Sequence, residues 1–130
     1  IGVGTDLNAK PPNPKVAIIE DESQLRDLYS LVLKDRGYDI VFRANCGEEV
    51  IIAIAEGKLS GLDIAILDYR LGSGINGLQT ARLILQSKPN VRIIIATADD
   101  SIQCEVRAAG FFLLKKPFTI IDLLRVSQPF

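Results

Sequence analysis

Unbroken apolar runs recur along the chain, and each gives way to a stretch with helical spacing. Val16-Ala17-Ile18-Ile19, Ile64-Ala65-Ile66-Leu67 and Ile93-Ile94-Ile95-Ala96 carry no polar alternation. Such runs suit strands buried on both faces, and therefore a parallel sheet covered by helices. They predict strands at Val16 to Ile19, Leu62 to Leu67 and Val91 to Ala96, the last ending at Thr97. Tyr38 to Ala44 alternates, with Ile40 and Phe42 against Asp39 and Arg43, and reads as an edge strand. Phe111 to Lys115 is the fifth strand.

The intervening stretches read as helices. Asp21 or Ser23 is placed to cap the first, whose apolar face is Leu25, Leu28, Tyr29 and Val32, with Gly37 beyond its end. The second spans 47–58 with Val50, Ile51 and Ile54 inward, and the third spans 78–87 with Leu78, Ala81, Ile84 and Leu85. Asp99-Asp100-Ser101 opens a fourth, running to Ala109, with acids favourable to the helix dipole. The fifth covers Thr119 to Val126 with Ile120, Leu123 and Leu124. Strands alternating with helices predict an α/β fold, a five-stranded parallel doubly wound sheet with right-handed crossovers. Five strands suit the flavodoxin-like order 2-1-3-4-5, whose switch point lies between strands 1 and 3.

Residues 1–14, with the Pro11-Pro12-Asn13-Pro14 cluster, lack periodicity and read as a linker or disordered leader; 15–130 form the domain. A chain of 130 residues with 48% hydrophobic and 24% charged residues supports a core without staples. The net charge of −1 gives no basic face for direct binding to nucleic acid or an anionic membrane. No apolar stretch has the length of a membrane span, so a cytoplasmic protein is expected. Cys46 and Cys104 fit neither a disulfide framework nor a zinc spacing and read as free thiols. The chain has no histidine, which excludes a Ser-His-Asp triad and a His-ligated metal within it.

In the 2-1-3-4-5 order, chemistry gathers at one sheet edge. Glu20 and Asp21 end strand 1, Asp68 ends strand 3, Thr97 ends strand 4 and Lys116 follows strand 5. Clustered carboxylates repel, and without a cation one is pushed towards protonation. Hard oxygen ligands at an open loop suit Mg²⁺. One carboxylate is then left as a nucleophile towards phosphorus, with the Thr97 hydroxyl and Lys116 ammonium for the phosphoryl oxygens.

Taken singly, each residue has a plainer role. Asp21 reads as a helix cap, Asp68 as a turn former before glycines, Thr97 as a β-branched strand residue and Lys116 as a solvated lysine, with Lys115 an ambiguity beside it. All four plain roles must hold together to explain the chain.

Four pieces, Ile18-Ile19-Glu20-Asp21-Glu22, Leu67-Asp68-Tyr69-Arg70-Leu71, Ile95-Ala96-Thr97-Ala98 and Lys116-Pro117-Phe118, stand in order at the right strand ends. With them, residues 15–127 resemble the response regulator receiver domain of two-component signalling. The resemblance implies Asp68 as phosphoacceptor, with Asp21 a direct Mg²⁺ ligand, Glu20 a ligand mainly through water and Arg70 a ligand through its backbone carbonyl. It implies that Thr97 and Lys116 contact the phosphoryl group and signal its presence. Arg70 and Asp99 occupy positions where the family tunes loss of the aspartyl phosphate, and they are expected to pair across the site mouth. The implied partner is a histidine kinase or a histidine phosphotransfer domain, and enzymatic activity is limited to self-catalysed phosphorylation and dephosphorylation.

Two departures from the family pattern stand out. Gly72 takes the place of the usual proline and Asn76-Gly77 comes one residue late, so a longer, more flexible loop is expected. Leu113 holds the position of the switch aromatic, and Phe111 and Phe112 are out of register with it. The downstream target is not legible. A homodimer is compatible with this reading, although a short last helix ending near Pro129 limits pairing through the last two helices and strand 5.

Three rival functions fit the residues less well. A phosphorylation-independent interaction module typically lacks one of the acidic, Thr or Lys groups, and here the set is complete. An FMN binder wants a phosphate-cradling first loop, and Glu20-Asp21-Glu22 repels phosphate. A haloacid-dehalogenase-type phosphatase wants a second Asp where Arg70 stands.

Overall fold

The computed structural model describes residues 13–128. The expected leader, apart from Asn13 and Pro14, lies outside the described residues, as does Pro129. The elements run β1 (Lys15–Ile19), α1 (Ser23–Asp35), β2 (Asp39–Ala44), α2 (Glu48–Ala55), β3 (Ile64–Asp68), α3 (Gly77–Ser87), β4 (Arg92–Thr97), a 3-10 turn (Asp100–Ile102), α4 (Gln103–Ala108), β5 (Phe112–Lys115) and α5 (Ile120–Val126). All pairings are parallel, and the sheet order is β2-β1-β3-β4-β5, as expected from the strand and helix alternation.

The apolar runs are buried because each strand feeds both faces. Ala17, Ile19, Ala65, Leu67, Ile93 and Ile95 point to the side where Val50, Ala53, Leu78, Ala81, Ile84 and Val106 of α2, α3 and α4 pack. Val16, Ile18, Ile64, Ile66, Ile94 and Ala96 meet Tyr29 and Leu33 of α1 and Leu123 of α5 on the other. Each fully buried aliphatic side chain is worth roughly 1.5–3 kcal/mol relative to exposure.

Several expectations are corrected. In β2 the register slips at Val16/Ala17, so that Val16 pairs with Ile40 and Ala17 with Phe42. The extra residue turns Ile40 and Phe42 to opposite faces, and Val41 is left exposed. Simple alternation did not foresee this. No side chain of the described residues caps α1; Glu22 holds the N-cap position, and Asp21 instead joins an acidic cluster. Leu28, Ile51 and Ile120, expected inward, are 44%, 47% and 49% exposed, because each helix carries a wider apolar arc than its neighbours can cover. The expected helix from Asp99 begins as the 3-10 turn, with Asp99 accepting from the Ser101 amide at 2.9 Å. Both cysteines are free. No helix among the described residues is long and apolar enough to cross a membrane.

Candidate phosphoryl site

The carboxyl edge of the sheet gathers the predicted groups. Glu20 follows β1, Asp68 is the last residue of β3, and their carboxylates and that of Asp21 offer oxygens all within 4.8 Å of one another. Main-chain bonds set this convergence. Glu20 donates its amide to the Ala44 carbonyl at 3.0 Å, and Tyr69 donates to Ala96 at 2.9 Å. The Lys116 amide donates to the Thr97 carbonyl at 2.8 Å, which brings the strand-5 end onto the strand-4 end. Arg26 donates to the Glu20 carbonyl at 2.6 Å, and the Glu22 amide to the Glu20 carboxylate at 3.3 Å.

Lys116 is the cation placed at the centre. Its Nζ lies 3.0 Å from Glu20 Oε1 and 3.2 Å from Asp68 Oδ1. Lys115, the ambiguous neighbour, turns outward to Asp100 at 3.0 Å. Alternation along a strand sends adjacent side chains to opposite faces, so one lysine of the pair had to leave.

Three carboxylates face one ammonium in this cluster, and the titration behaviour follows. Burial, then the charge of Asp68, push the Glu20 carboxyl up to about 7, although Lys116 partly offsets them. Burial also raises Asp68, against the lowering effect of Lys116. Burial works to lower Lys116, but its bonds with Glu20 and Asp68 outweigh that and leave it above an ordinary lysine. Two buried carboxylates and the exposed Asp21 at the rim form an all-oxygen donor set with a surplus of two negative charges. That set fits a hard divalent cation that keeps part of its water.

Thr97 is buried at the end of β4, and its Oγ1 accepts from the Asp99 amide at 3.0 Å. Arg70 and Asp99 do meet across the mouth, with Nη2 to Oδ2 at 3.2 Å and the arginine side chain largely in solvent. Leu113 is half-buried against the α2–α3–α4 side of the core, next to Ile95 in register. Phe111 packs on that side as well, whereas Phe112 is exposed beneath the Arg92 guanidinium at 4.9 Å. No phenylalanine of the pair takes the Leu113 position.

The loop after Asp68 explains its glycines. Gly72 has φ +79°, a conformation closed to proline, whose ring fixes φ near −65°. A Cβ on Gly77 would overlap the Asp68 carbonyl oxygen, so only glycine lets α3 start against the end of β3. Asn76 caps α3 in a reciprocal capping box with Gln79. Sequence reasoning passed over that box, although an Asn three residues before a Gln is its ordinary sign. It also passed over Glu48, which accepts from the Ile75 amide at 2.8 Å.

The sequence matches the family model of the response regulator receiver domain over residues 16–127. The chain belongs to the response regulator receiver family. Among curated relatives it is similar to the transcriptional regulatory protein PdtaR of Mycobacterium tuberculosis, 32% identical over 126 residues, covering 95% of this chain and 58% of the relative. It is also similar to the uncharacterized transcriptional regulatory protein YkoG of Bacillus subtilis, 32% identical over 112 residues, covering 84% and 47%. The receiver thus spans about half the length of the curated relatives it matches. Among solved structures, the chemotaxis response regulator CheY4 of Vibrio cholerae superposes with a TM-score of 0.74 at 26% identity, covering 89% of this chain and 97% of that one. Fold class and family are therefore as the motifs implied.

Proposed function

We propose that this receiver accepts a phosphoryl group on Asp68, with Mg²⁺, from a histidine kinase or a histidine phosphotransfer domain in the cytoplasm, and that the modification switches a protein-binding surface. The observation that carries the reading is the unbalanced cluster, in which Glu20, Asp21 and Asp68 share one ammonium at the strand ends. In the transfer, an Asp68 carboxylate oxygen attacks the phosphorus of a donor phosphohistidine. The P–N bond breaks as the P–O bond of an acyl phosphate forms, and the imidazole leaves with the electron pair and takes a proton from solvent. The donor histidine lies outside these 130 residues, which contain none.

Glu20, Asp21, Asp68 and the Arg70 carbonyl are the groups that would hold Mg²⁺, which when bound supplies charge neutralisation for the transferring oxygens. Lys116 is within reach of Asp68 and has one ammonium hydrogen, beyond those directed at Glu20 and Asp68, to offer the new phosphoryl group. The Thr97 hydroxyl accepts the Asp99 amide and keeps its own hydrogen to donate. Leu113, being aliphatic, makes the relay from Thr97 a small packing change and not the swing of a ring.

The test is acetyl phosphate with Mg²⁺, read by intact mass, and beryllofluoride with Mg²⁺, read by amide NMR. Wild-type protein gains one phosphoryl group and shifts its carboxyl-edge amides, and Asp68→Asn does neither. Absence of both changes in wild type, or their persistence in Asp68→Asn, sinks the reading.

A further inference from the structure

The first turn of α2 reaches the loop that leaves Asp68. Glu48 Oε2 accepts from the Ile75 amide at 2.8 Å across 27 residues of sequence. Gly74 admits that carboxylate, since a Cβ there would stand 2.6 Å from Glu48 Cδ and overlap both oxygens. Gly47, directly before Glu48, is closed in the same way: a Cβ would overlap Thr80 Oγ1 and stand 2.6 Å from Ile75 Cγ1. Thr80 in turn donates its hydroxyl to the Asn76 carbonyl at 2.8 Å. Two glycines thus allow α2, α3 and the loop to close on one carboxylate.

The two flanks of the loop are fixed without Glu48: Leu71 is buried in the core and Arg70 pairs with Asp99 on one side, and Asn76 is held by the α3 capping box on the other. The loop's ends are joined by the Gly77 amide donating to the Tyr69 carbonyl at 2.8 Å. Between them lie Gly72, Ser73 and Gly74, which carry no stiff residue and open many alternative courses. Glu48 sits where a helix N-terminus favours an anion, and the Ile75 amide holds its carboxyl below the usual range. The clamp is therefore charged across the physiological range. Glu48 is exposed and touches none of Glu20, Asp21, Asp68 or Lys116, so any influence on them passes through the loop.

Resting on the phosphoacceptor reading of Asp68, we propose that Glu48 is a positioning residue for that site: seated over Gly74, it holds the Tyr69-to-Gly77 loop in the course that presents the Arg70 main chain beside Asp68. Gly74 is its obligate partner. Because the φ of Gly74 is not positive, alanine there is hindered by the carboxylate and not by its own backbone.

The test uses the whole chain with Glu48→Ala, Glu48→Gln, Gly74→Ala and the Glu48→Ala/Gly74→Ala double variant. Mg²⁺ affinity is read by amide NMR titration, hydrogen exchange at the Ile75 amide reads the clamp, and phosphoryl uptake from acetyl phosphate is followed against Mg²⁺ concentration. Glu48→Ala is expected to weaken Mg²⁺ about tenfold, the low end for losing an outer partner of a metal site. Uptake slows at low Mg²⁺ and recovers at saturation. Glu48→Gln, whose amide oxygen still accepts from Ile75, keeps most of the affinity. Gly74→Ala reproduces the Glu48→Ala loss, and the double variant is no worse than either single one, because both remove the same contact. If Glu48→Ala fails to fold, Gly74→Ala and Glu48→Gln carry the comparison.

A variant that melts earlier but binds Mg²⁺ as wild type does overturns the positioning role, as does an additive double variant. Wild-type protein that neither binds Mg²⁺ nor takes up phosphoryl overturns the underlying reading instead.

Discussion

The two ends of the sheet are built from the same strands and balanced differently. At the amino end, the Lys15 amide donates to the Asp63 carboxylate at 2.8 Å, and the Tyr38 hydroxyl to the Ser127 carbonyl at 2.6 Å. Arg92 donates to the carbonyls of Val126 and Gln128 at 3.0 and 2.6 Å. Each of these donors meets an acceptor, and they join β1, β2 and β4 to the start of β3 and the end of α5. At the carboxyl end, three carboxylates meet one ammonium, and burial raises the pKa of two of them, Glu20 and Asp68. The amino end pairs the donors just named, although the buried Ser127 hydroxyl has no hydrogen-bond partner among the described residues. The carboxyl end leaves negative charge over, and the fold carries the cost.

The sharpest way to break the comparison is to remove the ammonium that pairs with both buried carboxylates of the unbalanced end. Lys116→Met leaves Glu20 and Asp68 buried without their counter-charge. Breaking a buried pair by deleting one partner costs about 3 kcal/mol or more. The loss is expected in full at pH 8 in EDTA, measured by urea denaturation, and reduced at pH 5, where Glu20 holds its proton. Added Mg²⁺ recovers part of it. A loss that does not change with pH or metal would mean that Lys116 acts by packing alone.

The surplus charge also gives the wild-type protein a direction with pH. A carboxyl whose folded pKa is raised binds more protons in the native state than in the unfolded one, so it favours folding at low pH. For Glu20 that contribution is present below its ordinary value of 4.5 and is lost as pH rises through about 7. Metal-free protein should therefore lose stability between pH 5 and pH 8, and saturating Mg²⁺ should flatten or reverse the slope. Urea midpoints with and without Mg²⁺ across that range decide it.

The balanced end is tested by Tyr38→Phe. It removes a buried hydroxyl and leaves the Ser127 carbonyl without that donor, a loss of roughly 1–1.5 kcal/mol. Mg²⁺ affinity and phosphoryl uptake stay at wild-type values, because the residue lies at the far end of the sheet. An effect on uptake comparable to that on stability would erase the distinction between the two ends.

How much of this was legible follows the same division. The strands could be read because Val16 to Ile19 and Ile64 to Leu67 are buried on both faces, a state that writes itself into composition. The strand ends then located Glu20, Asp68, Thr97 and Lys116 together. The slip beside Val41 was hidden, because an inserted residue leaves no mark in a pattern of alternating polarity. Leu28, Ile51 and Ile120 look inward by spacing, yet what lies opposite a helix is decided by tertiary neighbours. Glu48 reads as an ordinary first-turn acid, since its partner is far along the chain. The choice between Lys115 and Lys116 needed the pleat of β5 as well as the proline that follows.

The smallest effect concerns the pair over the mouth. Arg70 and Asp99 join the loops after β3 and β4 at 3.2 Å, with most of the arginine in water. An exposed ion pair of this kind contributes roughly 0.2–1 kcal/mol, so Arg70→Ala should scarcely move the urea midpoint. Its expected effect is kinetic. The pair ties together the loops that follow the ends of β3 and β4, and its removal is expected to widen the path of an attacking water. The lifetime of phosphorylated protein, followed by intact mass after donor removal, should shorten by a factor of about two to ten, the span of roughly 0.4–1.4 kcal/mol in barrier height. Asp99→Ala should act in the same direction, and more strongly if releasing the Ser101 amide also frees the start of the 3-10 turn. An unchanged lifetime in Arg70→Ala would leave the pair as a surface contact only, and the imbalance of the carboxyl end would then lie wholly among Glu20, Asp21, Asp68 and Lys116.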